Sequence, residues 1–272
     1  MPKVPVMMRV SYGIFLSPDL SLPLDCFAWW TLVALCPLLA LSNVLTIPGF
    51  NKSGALMSYS KFAHGVKARP LLSSRVGMIL LYLPSACLAY AMHDPTSLRS
   101  RAVACLAVLH FSKRTLECIC LHEYSGTMPL FSSLMISSFY LLVAGFSVHY
   151  ASVVPAALLQ DWTLAAGLLL FCVGQLGNLC HHYLLATLRR PGERVYKVPR
   201  GGLFEYVAAP HYLFELVAWA GTALVGQHLI HLGILLDMTV YLRDRAQRQT
   251  EWNRAKLDGY PRSRKHLIPF IH

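Results

Sequence analysis

The sequence predicts an all-α fold, a polytopic bundle of about seven membrane-spanning helices with the C-terminus in the cytosol. Three observations lead there. The 272-residue chain is 55% hydrophobic and only 14% charged, where a soluble domain carries about a quarter charged residues, and its mean hydropathy is +0.47. Its apolar residues form long continuous blocks rather than alternating ones, which argues against a closed barrel. Its cations collect in alternate connections between those blocks.

The blocks justify the elements in order. Residues 26–47 hold no charge over 22 positions, enough for a helix to cross about 30 Å of hydrocarbon. This first block starts too late and runs too long for a cleavable signal, so it is expected to stay as an anchor. Further spans are expected at 76–92, 102–121, 129–150, 162–187, 207–226 and 228–242. The expected organisation is an N-terminal lumenal segment, 1–25, and one transmembrane domain, 26–272. A short cytosolic helix and an ordered cap should close the chain from Glu251, with Leu267, Ile268, Phe270 and Ile271 folded onto the bundle.

Charge fixes the orientation. The loop after the first span holds Lys52, Lys61, Lys67, Arg69 and Arg75. The loop after the fifth holds Arg189, Arg190, Arg194, Lys197 and Arg200, and eight more cations follow residue 242. The opposite side has only Lys3, Arg9, Arg99 and Arg101. The positive-inside rule places the basic side in the cytosol. The net charge of +11 suits anionic headgroups or an anionic cofactor. It does not suit nucleic acid, because the cations hug membrane ends. The eight cysteines all fall in the spans and form no C-x-x-C pair, so buried, inert free thiols are expected.

Polar groups within the spans mark a site, since ionisable side chains in hydrocarbon are costly. Pro210 suits the first turn of a helix. Behind it, His211 and Glu215 share a face four residues apart, with Tyr212 between them and Glu205 just before. Asn178 and His182 share a face of the fifth span, next to His181. His110, Lys113, Arg114 and Glu117 form one stripe of the third span. Either cation could pair with Glu117 within the helix. Two cations midway along a span also suit an anion bound within the bundle, and Arg189 and Arg194 stand where a phosphate-rich cofactor would enter. No metal is expected: there is no H-x-x-H-H box, and His228 and His231 fall at the other face from His181, His182 and His211. There is no G-x-S-x-G and no G-x-G-x-x-G, so neither a serine hydrolase nor a Rossmann domain is indicated.

Three stretches resemble the steroid 5α-reductase family, which includes very-long-chain trans-2-enoyl-CoA reductases and polyprenol reductases. They are Arg189-Arg-Pro-Gly-Glu-Arg-Val-Tyr196-Lys-Val-Pro-Arg-Gly-Gly-Leu-Phe204, Pro210-His-Tyr-Leu-Phe-Glu215 with Trp219, and Tyr260-Pro-Arg-Ser-Arg-Lys265-His-Leu-Ile-Pro-Phe270. The likeness is concentrated in 177–272, the 3-oxo-5-alpha-steroid 4-dehydrogenase-like part. Around His122-Glu-Tyr-Ser-Gly-Thr-Met-Pro129 it leans toward the enoyl-CoA reductases. The resemblance implies a multi-pass reductase of the endoplasmic reticulum, using NADPH to reduce a carbon–carbon double bond conjugated to a carbonyl in a lipid or steroid-like substrate. It implies membrane lipids as surroundings and points to no obligate protein partner. By motif, Arg114, Asn178, His182, Arg189, Tyr196, His211, Glu215 and Arg245 line the cofactor, and Tyr212 and Tyr82 are the candidate proton donors. The chain departs from the family at Tyr82, where steroid reductases carry a Glu, at Phe111, where they carry a Tyr, at His182 in place of an Asp, and at Asn253 in place of a tail Tyr. Two other classes share parts of the pattern: an isoprenylcysteine-type methyltransferase using S-adenosylmethionine, and a non-catalytic lipid-binding relative.

Overall fold

The computed structural model describes residues 70–124, 126–154, 159–189, 193 and 195–271, with a two-residue ribbon, β1 (Ser11–Tyr12) and β2 (Phe15–Leu16), near the start. Apart from that ribbon, the expected lumenal segment, together with the span at 26–47 with its Cys26 and Cys36, and Arg190 and Arg194, lies outside the described residues.

Six long helices occupy the positions of the six later blocks. They are α1 (Ser74–Met92), α2 (Leu98–Leu116), α3 (Leu130–Ser152), α4 (Asp161–Ala186), α5 (Pro210–Gly226) and α6 (Leu229–Lys256). By length and composition α1, α3 and α4 are able to cross a membrane. The others fall short for visible reasons: α2 carries Arg99, Arg101, Lys113 and Arg114, α5 is 17 residues long, and the second half of α6 is polar.

Local chemistry sets the ends. The Ser73 hydroxyl caps α1 at the Val76 N–H, and Ser97 caps α2 at Ser100. A short ribbon, β3 (Leu71–Ser73) with β4 (Thr127–Pro129), ties the start of α1 to the start of α3 in antiparallel register. Gly77 lets the buried Met128 side chain lie against the α1 backbone; a Cβ there would meet its sulfur at 2.3 Å. The closest helix pair is α4 with α5, joined through small residues. A Cβ on Gly174 would sit 2.4 Å from the Ala218 nitrogen, and one on Gly221 2.5 Å from the Gly167 oxygen. Small residues let backbones approach where the surroundings give no hydrophobic drive to associate.

Three expectations change. No separate cytosolic helix starts at Glu251; α6 runs unbroken to Lys256. Side-chain pairs four apart, Arg248–Asp244, Gln247–Glu251 and Gln249–Asn253, carry it past its apolar half. The cysteines are free, but among those described only Cys118 is buried; Cys87, Cys105, Cys120, Cys172 and Cys180 face outward. A helix apolar on all sides gives no moment from which to tell its inner face. Of the terminal apolar residues, only Leu267 is buried, against Ala209 and Ala246; Ile268, Phe270 and Ile271 are exposed. The cap is nonetheless ordered. The Ala208 and Ala209 N–H groups donate to Lys265 and His266, and Lys265 donates back to Tyr206. Arg264, 1% exposed, donates to the Pro199 carbonyl and to Glu205.

Candidate functional site

The site lies where the C-terminal end of α2, the C-terminal end of α4, the N-terminus of α5 and the second half of α6 converge. At Glu117 the α-helical winding of α2 widens into a π turn, Glu117–Leu121, closed by the His122 N–H on the Glu117 carbonyl at 2.8 Å. Such turns recur at functional sites because they rotate side chains out of helical register. Here the turn leaves Glu117 on the stripe of Lys113 and Arg114 and brings the His122 ring within 5.0 Å of His182 on α4.

Arg114 is the hub. Its Nη1 donates to Glu117 Oε2 at 2.5 Å and lies 2.9 Å from His182 Nδ1, which is itself 3.0 Å from the same carboxylate oxygen. Its Nη2 donates to the Tyr82 hydroxyl of α1 at 3.2 Å, and the guanidinium carbon stands 5.0 Å from that ring's centre. Lys113 Nζ lies 3.4 Å from Glu117 Oε1 and donates to Asn178 Oδ1. Asn178 passes its amide on to the His211 carbonyl at 2.8 Å. The sequence leaves open which cation pairs with Glu117; both do. The anion that two cations suggest is partly supplied by Glu117 itself. Glu117, His122 and His182 offer atoms within 4.8 Å of one another, a ligand set suited to zinc by type. Arg114 stands between Glu117 and His182, and Lys113 lies beside Glu117 as well, so the cluster already holds its own cations.

A cavity of about 340 Å³ opens beside this hub. Arg114, His182, Arg189, Tyr196, His211 and Tyr212 line it. The sequence brings all six forward as candidates. Asn178, Glu215 and Arg245 are buried but do not line it, and Tyr82 reaches it only through Arg114. Glu205 is exposed, accepts the Gly201 N–H at 2.8 Å and binds the cap; that N–H holds its carboxyl below the usual range. His181 is also taken up structurally, accepting the Leu203 N–H at 3.1 Å and stacking on Phe214.

Sequence reasoning missed Gln249 and Trp252, whose α6 segment reads as solvated. Trp252 meets Tyr196 edge-on at 4.7 Å, and the Arg189 guanidinium stands 5.1 Å from the centre of the Tyr196 ring. A second hollow of about 650 Å³ continues outward past Tyr196, Lys197, Trp252 and Leu257 to Lys256. Burial holds the His122 imidazole neutral, its pKa down at about 4. Two polar atoms at the wall, His211 Nδ1 and Asn253 Nδ2, are buried and have no protein partner. A buried, unpaired polar atom costs free energy.

Comparison with known proteins gives the family. The sequence profile of 3-oxo-5-alpha-steroid 4-dehydrogenase matches residues 126–272. The 3-oxo-5-alpha-steroid 4-dehydrogenase 1 of Mus musculus is 32% identical over 224 residues, 79% of this chain and 87% of its own length. The Homo sapiens protein of the same name is 31% identical over 208 residues, 73% of this chain and 80% of its own. Steroid 5-alpha-reductase DET2 of Gossypium hirsutum is 39% identical over 112 residues, 41% of this chain and 43% of its own. The family match begins some fifty residues before the stretch where the motifs cluster and takes in α3, α4, α5, α6 and the cap. The chain belongs to the 3-oxo-5-alpha-steroid 4-dehydrogenase, or steroid 5α-reductase, family of oxidoreductases acting on CH–CH groups.

Proposed function

We propose that this protein is a membrane-embedded, NADPH-dependent reductase of a carbon–carbon double bond conjugated to a carbonyl in a steroid- or sterol-like lipid. It crosses the membrane about seven times, with its basic, C-terminal side in the cytosol, and resides in the endoplasmic reticulum. The observation that carries the reading is the cavity beside Arg114, with its cations, aromatic pair and unpaired buried donors.

The residues present suit the cofactor. Arg114, Arg189 and Lys197 supply cations for phosphate oxygens. The Tyr196–Trp252 pair offers an aromatic surface for a base. The unpaired His211 Nδ1 and Asn253 Nδ2 offer hydrogen bonds. The two joined hollows suit an elongated ligand, within the range of about 300–1,000 Å³ common to such pockets. When bound, NADPH supplies a hydride to the β-carbon of the substrate. The chain does the rest. The Tyr82 oxygen accepts from Arg114, which leaves the phenolic O–H to donate to the substrate carbonyl oxygen. A donor aimed where negative charge develops, in a dry site, is worth about 10²–10³ in rate. Tyr82 is 6% exposed, among Phe111 and Tyr140, so the carbonyl end of the lipid would be dry there. The resulting enolate takes up one proton, ultimately from water, at the α-carbon, so that one hydride and one proton add across the double bond while the Tyr82 O–H holds the carbonyl oxygen. Tyr212, on the cavity wall, is the other phenol able to serve.

The test is purified protein with NADPH against steroid enones, sterol enones and long-chain enoyl-CoAs, following loss of reduced-nicotinamide absorbance. Turnover is expected with at least one steroid- or sterol-like enone, together with thermal protection by NADPH. Protection by S-adenosylmethionine instead, or no protection by either, overturns the reading. Family membership favours the reductase over the methyltransferase.

A further inference from the structure

Glu117 is a buried charge that the proposed reaction does not yet use. It is 3% exposed, comes from the π turn rather than from a regular helix, and does not itself line the cavity, which it meets only through Arg114 and His182. Its Oε2 gathers Arg114 Nη1 and His182 Nδ1, while its Oε1 faces Lys113 without a hydrogen bond.

The two ends of the Arg114 fork do different work. Nη1 is held by Glu117 beside the cavity, and Nη2 is aimed at the Tyr82 oxygen. A guanidinium is planar and rigid, so fixing one nitrogen fixes the direction of the other. An unclamped Arg114 would be drawn toward an anionic ligand in the cavity and away from Tyr82. We infer that Glu117 is a positioning residue: it holds Arg114 against the pull of the bound dinucleotide, so that Tyr82 keeps the donor that leaves its O–H free for the substrate. The inference rests on the reductase reading above and on Tyr82 as its proton donor. It adds a residue specific to this geometry, because the carboxylate, the π turn that delivers it and the imidazole of His182 occur together.

The test is Glu117→Gln, alone and combined with Tyr82→Phe, in purified full-length protein. Three quantities are read: the Kd for NADPH from tryptophan quenching, kcat on an accepted enone, and Tm without cofactor. Glu117→Gln is expected to lower kcat by about 100-fold, the scale of one lost transition-state donor. It should leave the Kd unchanged or lower it by up to about threefold, since Arg114, once released, is freer to meet the anion. Added to Tyr82→Phe, it should lower kcat by less than about threefold further, because two residues acting through one chain are not additive. Glu117→Asp, which keeps the charge, should recover at least about tenfold of the loss. If Glu117→Gln fails to fold, the Glu117→Asp comparison with and without Tyr82→Phe carries the same test. Equal losses with and without Tyr82→Phe, or a fall in kcat matched by falls in Tm and affinity, would make Glu117 merely structural and overturn the inference. Wild-type protein that binds no NADPH sinks the reductase reading itself, a result distinct from any behaviour of the variant.

Discussion

Two buried arginines lie on the same helix. Arg99 and Arg114 stand fifteen positions apart on α2, about 22 Å along the axis. At 2% and 9% exposed, burial barely distinguishes them; their partners do. Arg99 donates to the Thr163 hydroxyl at 3.2 Å, the Val225 carbonyl at 3.0 Å and the Gln160 carbonyl at 2.6 Å. Gln227, whose backbone at φ 49° ends α5, completes this lock by accepting from Gln160 and Thr163. The donors named there meet neutral acceptors, and Arg99 lines neither the cavity beside Arg114 nor the outer hollow. Arg114 shares a carboxylate, an imidazole and a phenol with three other elements and faces a hollow. A buried cation spent on backbone and hydroxyl oxygens is a structural fastener. One that competes with neighbours for a carboxylate beside open space is arranged for an incoming charge.

The sharpest way to break that contrast is to remove each arginine. Arg114→Leu should lower turnover with NADPH by about 10²–10³-fold, the scale of one lost donor at developing charge. Activity within tenfold of wild type would put Arg114 in the class of Arg99. Arg99→Met should do the reverse. Leaving Thr163, Gln160 and the Val225 carbonyl without their donor is expected to cost about 3 kcal/mol. In a chain of this size that lowers Tm by roughly 5–10 °C. The kcat of the protein that remains folded should stay within about twofold of wild type, since surface and fold are otherwise intact. Thermal scans and single-temperature turnover on the same preparation check both halves.

The contrast was half visible in the sequence. Spacings of three and four put His110, Lys113, Arg114 and Glu117 on one stripe, and Asn178 and His182 on another, in segments otherwise apolar. Polar groups stand out against such a background, which is why the hub was legible. Arg99 was instead counted with Arg101 as a sparse loop charge, because nothing local shows that Thr163, Gln160 and Gln227 come to meet it. The outer hollow was illegible for the opposite reason. Trp252 lies on a polar stretch of α6 where functional and solvated faces look alike, and its partner Tyr196 is more than fifty residues away. The π turn leaves no pattern, since it is one residue of extra winding. The outward cysteines escaped because the spans are apolar all round.

A smaller effect sharpens the reading of the outer hollow. Tyr196→Ala removes an edge-on contact with Trp252 and the surface beneath Arg189. Affinity for NADPH should weaken by about 3–10-fold, the worth of one aromatic or cation–π contact. The kcat should hold, because binding lost equally from ground and transition states raises KM alone. A fall in kcat with KM unchanged would move Tyr196 from the binding wall to the chemistry. Arg189→Ala is expected to act in the same direction, and the double variant should be less than additive because the two side chains touch.

The smallest effect belongs to the cap that holds the inner wall shut. Glu205 sits outside the helices, where the Gly201 N–H, Arg264 and Arg200 hold its carboxyl below the usual range. A carboxylate whose folded pKa lies below its unfolded value contributes stability above the unfolded pKa. That contribution drains away as pH falls through the folded one. Wild type should therefore have a slightly higher Tm than Glu205→Gln at neutral pH, and the gap should close below about pH 4, where the unfolded carboxyl is protonated. The reverse trend, a gap that widens on acidification, would mean that Glu205 is strained against the cap rather than fastened to it. In either case NADPH affinity should be the same in the two proteins. Arg264 keeps the Pro199 carbonyl as its second anchor, and Pro199 stands on the cavity wall. The fastener at this end is thus shared between a neutral acceptor and a charged one. Removing the charged half is expected to loosen the cap without moving the wall.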